Sequence, residues 1–256
     1  MNRCLVSARM VARETLRNRT GVSLLFLVPT VLYALILATT ADHPVPYQLS
    51  ADVAGLAAGS ERNISLLFMG STAMCGLLAF VGFVLTWRPI QTDRRLVFEG
   101  FRPWELLAAK TLVVASASAI VALYVTCLLL LFYQPLRVAG VFLGFFLAGL
   151  AYALVGIATG LACRRDLDGI LAILLLVNVD PGWLENPVFY AHAHNRQIIH
   201  WLPAHHPCQV AMLSALTRDR LLAEVLMSGA WLLALGLLAA FLYMLRVGVV
   251  RRAARP

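Results

Sequence analysis

Six long apolar runs constrain this chain more than any other feature of its sequence. They cover approximately residues 21–40, 64–87, 111–133, 140–163, 169–181 and 221–245. A helix needs about 20 apolar residues to cross a hydrocarbon core about 30 Å thick. Only 13% of the residues are charged, against roughly a quarter in a soluble domain, so most of the surface must face lipid. The sequence predicts an all-α integral membrane protein with six transmembrane helices, in a single transmembrane domain over residues 1–256.

The first and fifth runs need separate arguments. Residues 21–40 follow a basic segment, as a signal peptide does, but the apolar run is too long for a signal sequence and the basic leader is longer than usual. We interpret it as a retained helix. The fifth run is short and is interrupted by Asn178, Asp180, Pro181 and Gly182. We expect it either to cross in full or to be completed by a kinked or re-entrant piece.

The distribution of positive charge predicts the orientation of the helices. Sixteen of the 21 basic residues lie in residues 1–20, in the loops after spans two and four, and in the C-terminal tail. By the positive-inside rule this side is cytoplasmic, so both termini are expected there and the six histidines on the opposite side. The charges flank apolar runs, which argues against nucleic acid as a partner. Because Lys110 is the only lysine, a GC-rich bacterial source is indicated, with a multi-pass chain in the plasma (inner) membrane.

Residues 1–20 have the pattern of a helix that lies on the membrane surface. Arg9, Arg13 and Arg17 recur every four residues, and Leu5 and Leu16 are offset from them. This spacing predicts an N-terminal amphipathic interfacial helix. The alternative is a simple positive-inside anchor for the first span.

The segment 88–110, between spans two and three, is the most informative cytoplasmic loop. Gly100 suits the end of one short helix and Pro103 the first turn of another, so we predict two short helices with a bend. The short loops elsewhere leave no room for a second domain, so a separate partner is expected to use this surface. Lipid-headgroup anchoring is the alternative, since interfaces attract arginine and tryptophan. The candidate docking residues are Asp93, Arg94, Arg95, Glu99, Gly100, Arg102, Pro103, Trp104 and Glu105.

Small residues in the fourth run predict close packing between helices. Gly140, Gly144 and Ala148 recur four positions apart, as do Gly156 and Gly160. This spacing lets helices approach closely in lipid. We favour packing within the bundle over a gating role.

Residues 182–220, between spans five and six, form the largest external segment. The segment is too apolar at 198–216 for a flexible linker, so we predict one or two short helices that fold back against the membrane surface. Its histidines leave three interpretations open: a metal site, pH-sensitive gating, or ordinary polar loop residues. Their spacing matches no zinc motif such as His-Glu-x-x-His, so no metal is predicted. The weak metal candidates are His192, His194, His205 and His206.

Two motifs and the order of parts resemble a known family. The motifs are Asp93-Arg94-Arg95, Glu99-Gly100 and Pro103 to Lys110 before span three, and Leu202-Pro203 with Pro207 to Leu216 before the last span. With the interfacial helix and six spans, they resemble the permease subunits of type-2 ABC exporters (the ABC-2 superfamily). The stretch from the charged cluster to the proline lacks the longer Glu-rich insert usual in that family, so the resemblance does not predict the cargo.

The resemblance implies a cytoplasmic coupling helix within 88–110 and external re-entrant helices before the last span. It also implies two permease chains, identical or related, assembled with two ABC ATP-binding subunits. ATP and Mg would bind to those partner subunits, and this chain would hold no cofactor and would not be an enzyme. The residues agree, because a phosphate-binding loop needs Gly-x-x-x-x-Gly-Lys-[Ser/Thr], whereas Leu106-Leu107-Ala108-Ala109 precede the only lysine, Lys110.

The uncharged spans bear on the kind of cargo. The first four runs contain no acidic or basic residue, and such a lining suits an amphipathic or lipophilic cargo, such as a drug-like natural product, a peptide or a lipid. The main alternative is an ion-coupled carrier or channel, although ionisable residues within the spans usually mark that class. A membrane-embedded enzyme is a further alternative. The candidate lining residues for translocation are Phe68, Ser71, Thr72, Tyr124, Thr126 and Asn178.

Overall fold

Six helices are long and apolar enough to span a membrane. The structure is a computed structural model, and it describes residues 3–49, 57–191 and 196–253. Within these residues the candidate spans are Arg19–Thr39, Glu61–Trp87, Pro103–Leu130, Val138–Ala162, Asp166–Leu184 and Leu222–Val247. The predicted all-α membrane fold with six spans is therefore confirmed.

The spans are joined by shorter elements at both ends of the bundle. We call the end that holds most of the arginines the arginine-rich end, and the opposite end the histidine end. In chain order the elements are α1 (Arg3–Arg17), α2 (Arg19–Thr39), β1 (Pro44–Tyr47), β2 (Ala57–Ser60), α3 (Glu61–Trp87), α4 (Ile90–Phe98), α5 (Pro103–Leu130), α6 (Val138–Ala162), α7 (Asp166–Val179), α8 (Pro187–Ala191), α9 (Arg196–His200), α10 (His205–Leu216) and α11 (Leu222–Ala253).

The fifth span reaches a crossing length through an irregular turn. α7 continues directly into one π-helical turn, Asp180–Leu184, and the two together have 19 residues. At 1.5 Å per residue this is about 28 Å, close to the thickness of the hydrocarbon core. The hydroxyl of Thr72 donates to the carbonyl oxygen of Pro181 at 2.8 Å, so α3 satisfies a backbone group of the turn. The interruption predicted here from Asp180 and Pro181 is thus a local widening within the span.

Two glycines bring the backbones of α3 and α6 into close contact. A Cβ atom on Gly156 would clash with the carbonyl of Ala79, and one on Gly82 would clash with the carbonyl of Ala153. Only glycine allows the two backbones to approach this closely. The close packing predicted from the small residues of span four is therefore confirmed.

The re-entrant element α10 is enclosed by the spans. Residues 205–215 are all buried, and α10 packs against α6, α11 and α3. A Cβ atom on Gly144 would clash with the backbone of Ala211. We expected the short helices of 182–220 to lie against the membrane surface; for α10 this was wrong. The glycines of α6 give α10 room inside the bundle, where its apolar side chains are removed from water.

A two-stranded ribbon at the histidine end had no counterpart in the sequence prediction. β1 pairs antiparallel with β2, with Val45 opposite Gly59. The amide of Gln48 donates to the carbonyl of Pro187 at 3.3 Å, which attaches the ribbon to α8. Two prolines within β1 hide this strand from a search for alternating β-branched residues.

The segment between spans two and three bends as its glycine and proline predict. α4 is followed by Gly100 with φ +98°, a conformation that residues with side chains rarely adopt. Pro103 then begins α5. The second of the two predicted short helices is the first part of α5 itself, so any movement of this segment is shared with span three.

A pair of glycine-to-alanine substitutions tests the α3–α6 contact. G156A forces a methyl group against the carbonyl of Ala79 and is expected to lower stability by about 1–3 kcal/mol. G236A is the matched control, because nothing lies within 4 Å of the added methyl group. It is expected to be neutral or to stabilise by about 0.5–1 kcal/mol. Thermal unfolding of the detergent-purified chain measures both, and equal effects would contradict the contact.

Candidate functional site

The loop surface around α4 exposes charged and aromatic side chains at the arginine-rich end. Arg95, Glu99 and Arg102 are exposed. The large side chains of Phe98 and Trp104 are 59% and 52% exposed. An apolar and charged mixture of this kind, on α4 and the start of α5, has the chemistry of a protein contact surface.

Four of the predicted docking residues have structural contacts instead. Asp93 and Pro103 are buried, and Arg94 is half-buried. The carboxylate of Glu105 accepts a hydrogen bond from the backbone N–H of Arg102 at 3.2 Å, which caps the start of α5. The predicted set is therefore divided between an exposed surface and the residues that attach that surface to the spans.

A buried ion pair attaches α4 to α5. The Lys110 ammonium of α5 pairs with the Asp93 carboxylate of α4, and the two residues are 2% and 4% exposed. The Tyr243 hydroxyl of α11 donates to the same carboxylate oxygen at 2.9 Å. Removing one partner of a buried pair leaves an uncompensated charge, which is strongly unfavourable. Three helices are thus held together at one carboxylate.

A second polar contact joins α4 to α11 and α11 to α6. The Arg94 guanidinium donates twice to the carbonyl oxygen of Arg246, at 3.2 and 3.1 Å. Arg246 in turn donates to the carbonyl oxygens of Gly160 and Leu161, at 2.8 and 2.6 Å, and its guanidinium lies 5.4 Å from the ring centroid of Trp87. These bonds satisfy the last carbonyls of α6, which its own helix leaves without partners.

A crevice with a volume of about 770 Å³ runs between α2 and α3. Its walls are mostly leucine, valine, methionine and phenylalanine, and α1, α4 and the start of α5 border it at the arginine-rich end. Its size lies in the range of small-molecule pockets, roughly 300–1,000 Å³. The buried pair of Asp93 and Lys110 also contributes to its lining.

The six predicted lining residues do not gather around this crevice. Thr72 lines it. Tyr124 shares a hydrogen bond of 2.6 Å with Thr30, and the Asn178 side chain donates to the carbonyl of Leu174. The other three, Phe68, Ser71 and Thr126, are buried inside the bundle. Their role in a path formed with a second chain stays a prediction.

The histidine end contains a buried cluster of carboxylates and imidazoles. Glu185 contacts Nδ1 of His205 at 3.0 Å, and Glu224 contacts Nδ1 of His206 at 2.6 Å. Both histidines lie at the start of α10 and are at most 1% exposed. Each pair therefore ties α10 to a neighbouring segment: Glu185 follows the turn after α7, and Glu224 lies in the first turn of α11.

Asp180 fixes the loop that precedes α10. Its carboxylate accepts hydrogen bonds from the Tyr152 hydroxyl at 2.5 Å and from the backbone N–H of Ala204 at 3.1 Å. Asp180 is 3% exposed. The π-helical turn, α6 and the start of α10 thus meet at one buried carboxylate, as three helices do at Asp93.

The electrostatic surroundings of His205 favour its protonated form. Burial alone lowers the pKa of His205, but the Glu185 carboxylate raises it, and the resulting pKa lies above the usual value for histidine. The Glu185 carboxylate beside it is the main cause of this upward shift in the pKa of His205. Proton loss at higher pH leaves the buried Glu185 carboxylate without its counter-charge.

Two of the four weak metal candidates, His205 and His206, can be placed in the structure. His192 and His194 lie outside the described residues. Nδ1 of both His205 and His206 faces a glutamate. Among the described residues, no group of three or more histidine, cysteine, aspartate or glutamate side chains is arranged to hold a metal ion.

Two polar residues of the last span have structural roles that the sequence did not indicate. They are Tyr243 and Arg246. The one available signal was Lys110, a lone lysine beside an apolar run, since charges near the hydrocarbon region are costly and usually paired. Its partner Asp93 was assigned to the exposed surface because a one-dimensional pattern does not show which face of a nine-residue helix is covered.

No protein-family model matches this chain, and no curated protein is significantly similar to it.

Variants of the buried ion pair test its contribution to stability. D93N leaves the Lys110 charge without a counter-charge, and K110M does the same to Asp93, so each is expected to destabilise by about 3–5 kcal/mol. The double variant D93N/K110M should lose much less than the sum of the two. Thermal unfolding measures this cycle, with E99Q on the exposed surface as the control. Additive effects, within about 0.5 kcal/mol, would show that the pair is not coupled.

The His205–Glu185 pair predicts a pH-dependent stability. Because the folded pKa of His205 is raised, the stabilisation is complete below the unfolded value, about 6.5, and is lost as the pH rises through the folded pKa. The melting temperature is expected to fall as the pH rises above about 6.5, and to fall less in E185Q. The control is E61Q, in the exposed His43–Glu61 pair. An unchanged pH profile in E185Q would contradict the assignment.

Proposed function

We propose that this chain is the permease subunit of an ATP-driven exporter of the ABC-2 type. Its arginine-rich end would face the cytoplasm, and a separate ATP-binding subunit would supply the energy. The order of elements supports this: an N-terminal helix, six spans, the short α4 between spans two and three, and the re-entrant α10 before the last span. The same order is implied by the sequence motifs that resemble that family.

The observation that carries the proposal is how α4 is attached. One face of α4 exposes Arg95 and Phe98, while Asp93 and Arg94 are bonded to α5 and α11. A lipid anchor has no need of such bonds, because headgroup contacts use only the exposed side chains. A partner that pushes on α4 therefore acts directly on two spans.

Helix α11 extends this connection to the opposite end. Tyr243 and Arg246 contact the α4 region, and Glu224, near the other end of α11, contacts His206 of α10. Nineteen residues separate Glu224 from Tyr243, a helical distance of about 28 Å. A tilt of α11 driven from α4 would displace α10, and the permease would change from inward-open to outward-open as a population shift.

The lining of the crevice supports an amphipathic or lipophilic cargo. Its apolar walls between α2 and α3 suit a hydrocarbon or aromatic group and offer no oxygen cage for a bare ion. The complete transport path would be formed by two permease chains, identical or related. Drug-like natural products, peptides and lipids all have the required chemistry.

A second candidate function is an ion-coupled carrier. Asp180 is buried within the fifth span, and Glu185, Glu224, His205 and His206 are buried beside it. Buried ionisable groups of this kind are typical of proton relays. The two candidates differ in their energy source, so transport driven by a proton gradient without ATP would favour the carrier.

Co-purification from the native host tests the exporter. We expect the chain to retain a soluble subunit with ATPase activity in stoichiometric amount. The double charge reversal R95E/R102E should reduce that binding by about 100-fold, because charge repulsion replaces attraction across the contact. The control is R164E/R165E, which reverses two exposed arginines in another loop of the same end.

A third variant separates docking from coupling. The double variant D93N/K110M removes the buried pair without leaving an unpaired charge and keeps the exposed face of α4, so the ATPase should still bind, but transport per ATP hydrolysed should fall. Absence of an ATPase partner from the purified chain would contradict the exporter. If R95E/R102E binds the ATPase as tightly as the unmodified chain does, the surface around α4 is better interpreted as a lipid anchor.

A further inference from the structure

The crevice between α2 and α3 has the shape of an elongated tail site. On α3 its lining extends from Leu85, near the arginine-rich end, to Met69. These positions are 16 residues apart, which corresponds to about 24 Å along a helix. This exceeds the half-thickness of the hydrocarbon core, about 15 Å. The crevice is therefore long enough for an extended hydrocarbon chain that lies parallel to the helices.

Polarity changes along the length of the crevice. At the arginine-rich end the lining includes Glu14, Asn18, Arg88 and Thr92. Farther along α3 the one hydroxyl in the lining belongs to Thr72, which already donates to a backbone carbonyl at 2.8 Å. The remaining walls there are apolar. A polar end and a long apolar interior match a molecule with one head and one tail.

The charges at the polar end are of both signs. Glu14 of α1 and Arg88 after α3 line the crevice, and both side chains are exposed. In the part of the chain that the structure describes, these two residues form no ion pair with each other. Asp93 and Lys110 already neutralise one another beneath them. The two exposed charges suit a ligand head with one anionic and one cationic group.

We propose that the crevice binds a phosphatidylethanolamine-class phospholipid of the cytoplasmic leaflet. Arg88 binds the phosphate, for which a guanidinium is well suited, and Glu14 accepts hydrogen bonds from the primary ammonium group. One acyl chain lies between α2 and α3, where burial of its methylene groups favours binding. The site requires the arginine-rich end to be cytoplasmic, but it does not require an ATP-binding partner.

Lipid retention by the full-length chain tests this site. The purified protein is placed in nanodiscs with equal amounts of phosphatidylethanolamine, phosphatidylcholine and phosphatidylglycerol, then extracted and examined by native mass spectrometry. We expect the phosphatidylethanolamine adduct to exceed the phosphatidylglycerol adduct by about tenfold. E14Q should abolish that preference. It removes the carboxylate that pairs with the ammonium group of phosphatidylethanolamine, and phosphatidylglycerol has no such group. R88Q should reduce retention of all three phospholipids.

Bulky substitutions test the position of the tail. V81W on α3 and V28W on α2 fill the crevice from opposite walls, and each should reduce lipid retention by about tenfold or more. L233W is the control, because Leu233 is 71% exposed on α11 and lies outside the crevice lining. Because the two variants lie on different helices, the test remains valid if one of them fails to fold.

Three results would overturn the inference. Retention in V81W and V28W equal to that in L233W would show that the lipid binds elsewhere. Equal adducts of the three phospholipids in the unmodified chain would exclude recognition of the head, as would an unchanged preference in E14Q. Because no readout involves ATP or a partner subunit, failure here leaves the exporter proposal unaffected.

Discussion

The backbone contact between α3 and α6 determines where the other helices can lie. Gly82 and Gly156 bring the two helices together without intervening side chains. On another part of α6, Gly144 leaves room for the backbone of α10. Near the end of α6, the carbonyl oxygen of Gly160 accepts a hydrogen bond from Arg246 of α11. In lipid, association has no hydrophobic driving force between apolar helices and depends on such close packing and on polar bonds. The re-entrant helix and the last span therefore both depend on α6.

Polar groups are concentrated at the two ends of this packed centre. Asp93 joins three helices at the arginine-rich end, and Asp180 joins three segments at the histidine end. Each carboxylate is almost fully buried, so breaking either contact would leave a buried polar group without its partner. Helix α11 contacts both ends, through Tyr243 and through Glu224. A helix that is fixed at two distant points provides a physical link between them.

The sequence predicted the elements better than the contacts between them. Apolar length predicted six spans, and Gly100 with Pro103 predicted the bend before α5, because both signals are local. The burial of α10 was missed, because a mixed segment of histidine, proline and apolar residues does not reveal which neighbours will cover it. For the same reason, the sequence did not show which docking candidates near α4 are exposed and which are buried. The pairing of Asp93 with Lys110 depends on a bend that places two helices side by side.

The Asp93–Lys110 pair belongs to two sites at once. It attaches α4, whose opposite face is exposed, and it also contributes to the lining of the crevice. A molecule that fills the polar end of the crevice would lie against this pair. A force on α4 acts on the same bond from outside. Occupancy of the crevice and a force on α4 would then both act on this one contact, which is a physical link between two separate sites.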